Sequence, residues 1–420
     1  MNFNVVVHTP DVVGDRMAGP GIRAWHLAAE LGKHFPTRLI ARSEDSARES
    51  APHPPSAPSP HRDEAAVGRR LLMDGSRESH GQVAFSPGEG EKVPKADEGL
   101  GVTLIEHGSA AAREALRDAS VLIGQPARGF RKRRREQRIV YDLFDPTVLE
   151  LRELYGAAPS LRQRVHLAAE WWRLAEGLMR ADLLVCAARK QRELYESLQS
   201  GDAPWIEVPF GIDLGEVPSE TSACEKPKDN IVIWGGGIWE WLDPAGAVDA
   251  IVRVNESGVP AKLLFLGRSR PNRKLIDRRR DDRFDELLAR GGAHVSANEE
   301  WIPYRERLSW LRGGKIAIML HRRTAEAAYS IRTRLFDAIA AGIPVVASAG
   351  GFAAELVERE SLGVVVPPED SGAAAEAIRR LLTDDELYST AVKNLERIRP
   401  QFAWEVVTRP LVSAIIEWQT

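Results

Sequence analysis

The sequence predicts an α/β protein of two domains, each a doubly wound parallel sheet, and three observations predict it. Short runs of Val, Ile and Leu alternate with amphipathic stretches from the N-terminus to Pro209, the pattern of strands buried on both faces and joined by helices. A stretch of Gly, Pro, Ser, Glu and Lys with few large apolar residues then fills 211–229. After it the alternation restarts and continues almost to the C-terminus. The boundaries implied are a first domain over 1–213, a linker over 214–229 and a second domain over 230–399. A C-terminal helix over 400–420 is expected to pack back on the body.

Taken in order, the first domain draws strands from Phe3–Val7, Arg38–Ala41, Val102–Ile105, Val121–Gly124, Ile139–Asp142, Leu183–Cys186 and Ile206–Pro209. Amphipathic spacing predicts helices over Gly21–His34 and Leu161–Met179. Between residues 43 and 99 the pattern stops: the segment has eight Ser, seven Pro and six Gly but no Ile. Such a composition cannot bury enough apolar surface to offset chain entropy, so it predicts a disordered or loosely packed insertion. The second domain draws strands from Ile231–Trp234, Leu263–Leu266, Val295, Ile316–Leu320, Pro344–Ala347 and Val364–Val366. Its helices fit Pro244–Asn255, Ile276–Arg290, Ser330–Ala341, Ala353–Glu358 and Gly372–Leu382.

Composition removes several function classes. A net charge of −3, from 57 Lys+Arg against 60 Asp+Glu, excludes a globally basic nucleic-acid binder. The longest uncharged stretch, Ala338–Ala354, contains three Gly and a Pro and is too short and broken to span a bilayer. Charge arrives early, at Asp11, Asp15 and Arg16, so the N-terminus does not read as a signal peptide. Cys186 and Cys224 are the only cysteines, too few for a disulfide framework or a cysteine-rich metal site. A cytoplasmic enzyme is the expectation.

Four segments can carry chemistry. Gly19-Pro20-Gly21-Ile22-Arg23-Ala24 has the form G-x-G-x-x-A, but Thr9–Ala18 separates it from a strand ending near Val7. That loop is too long for the dinucleotide turn, which disfavours a nicotinamide or flavin enzyme. Gly19 and Gly21 instead suit backbone N–H groups offered to an anion or sugar, beside the plainer reading of a turn that starts a helix. The run Ile231–Gly237 drives a buried strand into three glycines, so a ligand can approach the backbone at Gly236 and Gly237.

The third segment, Glu326–Ala347, is the most informative. Ser330 reads as an N-cap, and Gly342 with Pro344 stops the helix. Arg332 and Arg334 sit in its first turn, where the macrodipole disfavours cations. A bound diphosphate held by both arginines and by the Ser330 and Ile331 N–H groups makes sense of them; a surface helix with Arg–Asp pairing is the plainer alternative. Asp337, on the same face as Thr333, suits a ribose diol. Fourth, Asp142 and Asp145 end the strand Ile139–Asp142. Asp142 is a candidate for an acceptor hydroxyl and Asp145 reads as a turn cap. The basic run Arg131–Arg135 reads as a solvated loop, with a peripheral membrane contact as its functional alternative. No Asp-x-Asp, His-Glu-x-x-His or P-loop motif occurs, so a metal-dependent diphosphate site, a zinc protease and a P-loop ATPase lack support.

The residues Gly235-Gly236-Gly237 and Asp337-Ala-Ile-Ala-Ala-Gly-Ile-Pro-Val-Val-Ala347 resemble the nucleotide-sugar glycosyltransferases of family 4. Gly19-Pro20-Gly21 and Val208-Pro209-Phe210-Gly211-Ile212-Asp213 fit the same family. The resemblance covers both domains and fails across the insertion. It implies a GT-B architecture, with two Rossmann-like domains facing across a cleft, the nucleotide on the second and the acceptor on the first. It also implies a retaining transfer of a hexosyl unit from a nucleoside diphosphate sugar to a hydroxyl acceptor, with no metal and no cofactor. The family's ribose-binding Glu falls on Asp337. Its first Glu falls on Tyr329, and Glu326 is the candidate substitute near the donor sugar. The Arg and Lys that follow the family's Gly loop are replaced by Ile238-Trp239-Glu240-Trp241. The phosphate clamp therefore moves to Arg332 and Arg334, with Arg268 as a further donor contact, as in a divergent subgroup. Asp142, Arg332 and Arg334 are the expected catalytic residues, and Arg332→Ala is expected to reduce turnover by orders of magnitude in a folded protein. A non-catalytic nucleotide-sugar binder and a nucleotide-sugar epimerase of the same architecture are the alternatives.

Overall fold

The computed structural model describes residues 3–44, 102–127, 129–217, 229–267 and 278–419. Most of the 43–99 insertion, most of the linker, and Arg268 lie outside the described residues. The apolar runs form two all-parallel sheets. The first holds β1 (Val5–Val12), β2 (Thr37–Arg42), β3 (Val102–Glu106), β4 (Val121–Gly124), β5 (Arg138–Asp142), β6 (Leu183–Cys186) and β7 (Trp205–Glu207). Its order is β3-β2-β1-β4-β5-β6-β7. The second holds β8 (Ile231–Trp234), β9 (Lys262–Phe265), β10 (Val295–Ala297), β11 (Ile316–Met319), β12 (Val345–Ser348) and β13 (Gly363–Val366). Its order is β10-β9-β8-β11-β12-β13. β4, β6, β8, β11 and β12 are buried at every residue, which is why they read as unbroken apolar runs. In both sheets the strand order reverses beside the first strand, between β1 and β4 and between β8 and β11. Ligand crevices of such sheets open at the carboxyl ends of those strands.

The structure departs from the sequence reading in three places that matter for the site. β1 runs to Val12, with a register irregularity between His8 and Val12, so only Val13–Ala18 separates it from the helix Gly19–Gly32. Short helices over Ala110–Asp118, Thr147–Tyr155, Arg189–Glu196 and Asp385–Ile398 were not expected. Arg189–Glu196 buries only Gln191 and Tyr195, so its hydrophobic periodicity is faint. The expected helix Ser330–Ala341 is two helices, Ala325–Tyr329 and Thr333–Ala341.

Near the C-terminus the chain forms the short helices Trp404–Val407 and Arg409–Glu417 in place of one helix. Ile212 N–H donates to the Phe402 carbonyl at 2.7 Å and Trp404 N–H to that of Ile212 at 3.1 Å. A Cβ on Gly211 would lie 2.3 Å from the Trp404 ring, so this close approach admits only glycine. Trp404 stacks on His26 of the first domain with centroids 5.0 Å apart, and His26 Nε2 meets Tyr304 Oη of the second at 2.8 Å. Burial pushes the His26 imidazole down to about 3, so this junction is held by a neutral ring.

Candidate active site in the cleft

The two domains bring two helix starts together. Gly19 opens Gly19–Gly32, and a Cβ placed on it would lie 3.4 Å from Thr333 Cγ2 at the start of Thr333–Ala341. The free N–H groups of both helices therefore face one region between the sheets, a setting that favours an anion. β8 runs directly into Gly235–Gly237 beside it. Gly236 takes φ +76°, a conformation suited to glycine. The Gly237 carbonyl accepts from Arg334 Nη2 at 2.9 Å. The guanidinium carbon of Arg334 lies 5.3 Å from the Trp234 ring centroid.

Arg334 and Arg332 are in different electrostatic states. Arg332 donates from Nη1 and Nη2 to the two oxygens of Glu326, at 2.7 and 2.8 Å, and Glu326 is completely buried. That pair is neutral as a unit. Arg334 has no carboxylate partner among the described residues, and its Nη1 is buried without a hydrogen bond. Desolvation, then the neighbouring Arg332, pulls its guanidinium down to about 9; it is still protonated at neutral pH. The net positive charge and an open donor thus rest on Arg334.

The Glu326–Arg332 pair also explains the broken helix. Six residues carry a continuous helix through about 600°, so positions 326 and 332 would sit on different faces. Bidentate pairing needs the chain to reverse between them. Accordingly Ser330 is not an N-cap: its N–H donates to the Glu326 carbonyl at 2.9 Å and it closes Ala325–Tyr329, which Thr324 caps through Ala327 N–H. Arg332 occupies the N-cap position of the next helix, and Ile331 is buried between. Because truncating Arg332 would strand a buried carboxylate, Arg332→Ala is expected to lower stability as well as turnover.

Asp142 is held in a buried ion pair. Its oxygens accept from Arg23 Nε at 2.7 Å and Nη2 at 2.8 Å, and Arg23 reaches on to the carbonyls of Val208 and Pro209. This buried pair ties β5 to the chain leaving β7, and Asp142 also lines the cavity beside Asp145. Gly21 serves packing: a Cβ there would sit 2.2 Å from the Val12 carbonyl oxygen. Asp337 accepts from Arg307 Nε at 3.0 Å through Oδ1, while Arg307 also donates to Glu216 at 2.8 Å. The basic run is partly structural, with Lys132 on Asp182 and Arg134 donating to the Arg117 and Ala119 carbonyls.

Sequence reasoning passed over a group of acids on the facing side. Asp145 Oδ1 accepts from Gln125 Nε2 at 2.7 Å and Thr147 Oγ1 at 2.9 Å. Burial, with Asp11 and Asp142 nearby, pushes its carboxyl up to about 7. Glu150, in the helix Thr147–Tyr155, is raised well above the usual carboxylate range by burial, then by Asp145 and Glu326, with Arg332 opposing. Glu150 therefore stands between the first domain's acids and the second domain's ion pair. Asp145 borders a cavity of about 340 Å³. Among the described residues no three His, Cys, Asp or Glu cluster as metal ligands would, and no helix is long and apolar enough to cross a membrane.

Residues 230–384 match the family described as glycosyl transferases group 1. A segment of 82 residues is 30% identical to probable sucrose-phosphate synthase 2 of Oryza sativa subsp. japonica; it is 20% of this chain and 8% of that protein's length. Sucrose-phosphate synthase of Thermosynechococcus elongatus superposes with a TM-score of 0.64 over 99% of this chain and 98% of its own, at 19% identity. Anabaena HepE in complex with UDP-glucose does so with a TM-score of 0.65 over 99% of both chains, at 11% identity. At such identities the likeness speaks for the fold. The chain thus carries a glycosyl transferases group 1 domain over residues 230–384, in a two-sheet fold of the GT-B kind, and the enzyme class expected from its sequence is the one that domain names.

Proposed function

We propose that the protein is a retaining, metal-independent glycosyltransferase of family 4, from a divergent subgroup, moving a hexosyl unit from a nucleoside diphosphate sugar to a hydroxyl acceptor. The observation that carries this reading is Arg334: a partly buried, protonated guanidinium with an unfilled donor, set beside a glycine loop and two helix starts. The hard step is departure of the diphosphate while the sugar becomes oxocarbenium-like, and preorganised positive charge at the leaving oxygens is the largest lever on it. Arg334 and the N–H groups of Thr333–Ala341 supply that charge. The acceptor oxygen bonds to the anomeric carbon, the diphosphate leaves with the electron pair, and the hydroxyl proton passes to a diphosphate oxygen. Gly236 and Gly237 let the donor approach the backbone, and Asp337 takes the ribose diol through Oδ2.

Support for a peripheral membrane contact comes from the helix Leu161–Arg180, which leaves Leu161, Val165, Trp172 and Met179 exposed among Arg162, Arg164 and Arg180.

The test is release of nucleoside diphosphate from UDP-, GDP-, ADP- and dTDP-sugars without added metal. Release from one donor, even as slow hydrolysis, supports the reading; tight nucleotide binding without release leaves a binder, and interconversion of donor sugars an epimerase. Asp337→Ala is expected to weaken nucleoside diphosphate binding about tenfold, the worth of roughly 1.5 kcal/mol for a charged hydrogen bond. Glu216→Gln perturbs the same Arg307 without touching the ribose and should leave the affinity unchanged by calorimetry. Equal losses in both would assign Asp337 to the Arg307 bridge alone.

A further inference from the structure

We propose that the acceptor is a neutral hydroxyl compound with an apolar body, and that the cavity of about 340 Å³ in the first domain receives that body while Asp145 holds its hydroxyl. The proposal rests on the transferase reading and adds the chemical class of the acceptor.

The walls exclude the more ordinary acceptors. Leu149, Trp171, Leu174 and Leu194 line the space with Pro10 and Pro126. A sugar with hydroxyls all round would leave those facing these apolar walls without partners. An anionic acceptor finds no unpaired guanidinium or ammonium among the described lining residues: Arg173, on one side, is paired with Glu170, as is His166. Polar groups gather elsewhere, where Gln125, Asp145 and Thr147 meet at the carboxyl ends of β4 and β5. Oδ1 of Asp145 is taken by Gln125 and Thr147, and Oδ2 has no hydrogen-bond partner among the described residues. With largely apolar walls, Asp145 at one polar end, and His166, Glu170 and Arg173 paired among themselves on another side, a cavity of this volume suits a small apolar ligand carrying a polar handle. Its polar end also lies toward the second sheet's domain, since the helix Thr147–Tyr155 that begins there packs on the helix Ala325–Tyr329.

The charge state of Asp145 gives a readout that a merely structural carboxylate would not. Its surroundings are Asp11 and Asp142, which raise its carboxyl, Arg23 and the Thr147 hydroxyl, which lower it, and the partly buried Glu150 beside it. A carboxylate accepts the hydroxyl hydrogen bond more strongly than a carboxylic acid does. Acceptor affinity should therefore improve as pH rises through about 7, and Asp145→Asn should flatten that dependence.

The experiment uses the full chain. Binding of octanol, free in solution, and of hexadecanol carried in phosphatidylcholine vesicles is followed by tryptophan fluorescence, with glucose as the polar comparison. Each alcohol is also added to the donor hydrolysis assay. Octanol or hexadecanol is expected to bind at least tenfold more tightly than glucose and to raise nucleoside diphosphate release. The arm that responds distinguishes a soluble aglycone from a membrane lipid. Leu194→Gln is expected to weaken alcohol binding at least tenfold, with thermal melting to show that the variant is folded. If donor is hydrolysed but neither alcohol binds or stimulates, the acceptor proposal falls and the transferase reading stands. If alcohols bind and no donor is ever cleaved, the pocket is real and the transferase reading falls. Tighter binding of glucose, or an Asp145→Asn variant with unaltered pH dependence, overturns the assignment of the pocket.

Discussion

Arg334→Met is expected to lower nucleoside diphosphate release by about a hundredfold to a thousandfold, the cost of removing one preorganised donor from a developing oxyanion, without lowering the stability of the empty protein. The two effects point in opposite directions for one reason. Arg334 is desolvated, its Nη2 donates to the Gly237 carbonyl, and its Nη1 is buried without a hydrogen bond. Burial has already pulled it down to about 9, so the folded protein bears a penalty for keeping it charged at neutral pH. Methionine fills much of the same space and removes that penalty, so the melting temperature should hold or rise by the equivalent of about 1–2 kcal/mol. Nucleoside diphosphate should also stabilise the variant less than the parent, because the ligand's main counter-charge is gone. Thermal melts with and without nucleotide, beside single-turnover release, check all three. A variant that melts far lower but turns over normally would make Arg334 a packing residue.

Arg334 also shows where sequence reasoning reached its limit. The strands were legible because parallel strands buried on both faces must be apolar throughout, and β8, β11 and β12 are. The glycine loop and the Gly342 stop were legible because a left-handed φ, +73° at Gly342, selects glycine. The roles of the charged residues were not legible, because each depends on a partner brought in by the fold. Asp142 and Asp145 stand three residues apart at the end of one strand, and the sequence favours Asp142 for an acceptor and Asp145 for a cap. Arg23, distant in sequence, closes on both oxygens of Asp142, while Asp145 keeps Oδ2 without a hydrogen bond among the described residues. Likewise Arg332 and Arg334 are indistinguishable as neighbours in a helix start until Glu326 is seen to neutralise only the first. The signal for the helix break was present in Glu326 and Arg332, six residues apart, but it becomes a signal only once the pair is known to be buried.

Glu326→Gln is expected to destabilise the folded protein by about 3–5 kcal/mol, the cost of leaving one member of a buried pair uncompensated, or roughly a 10 °C fall in melting temperature. Glutamine preserves the side chain's size, so the loss isolates charge from packing. Arg332 would be left with a buried guanidinium facing one amide oxygen and one amide NH2, while its Nε is already without a partner. The double replacement Glu326→Leu with Arg332→Met removes both charges and should restore most of that stability, because burying neither ion avoids both desolvation costs. The single variant carries a second consequence. With Glu326 neutral, the positive charge of Arg332 is released beside Arg334, so nucleoside diphosphate should bind more tightly and recover part of the lost stability. A Glu326 that instead contacts the donor sugar directly would behave differently: turnover would drop while the melting temperature stayed put. The two outcomes cannot be confused, because the ion-pair role is read in the unliganded protein and the sugar-binding role only in the presence of donor.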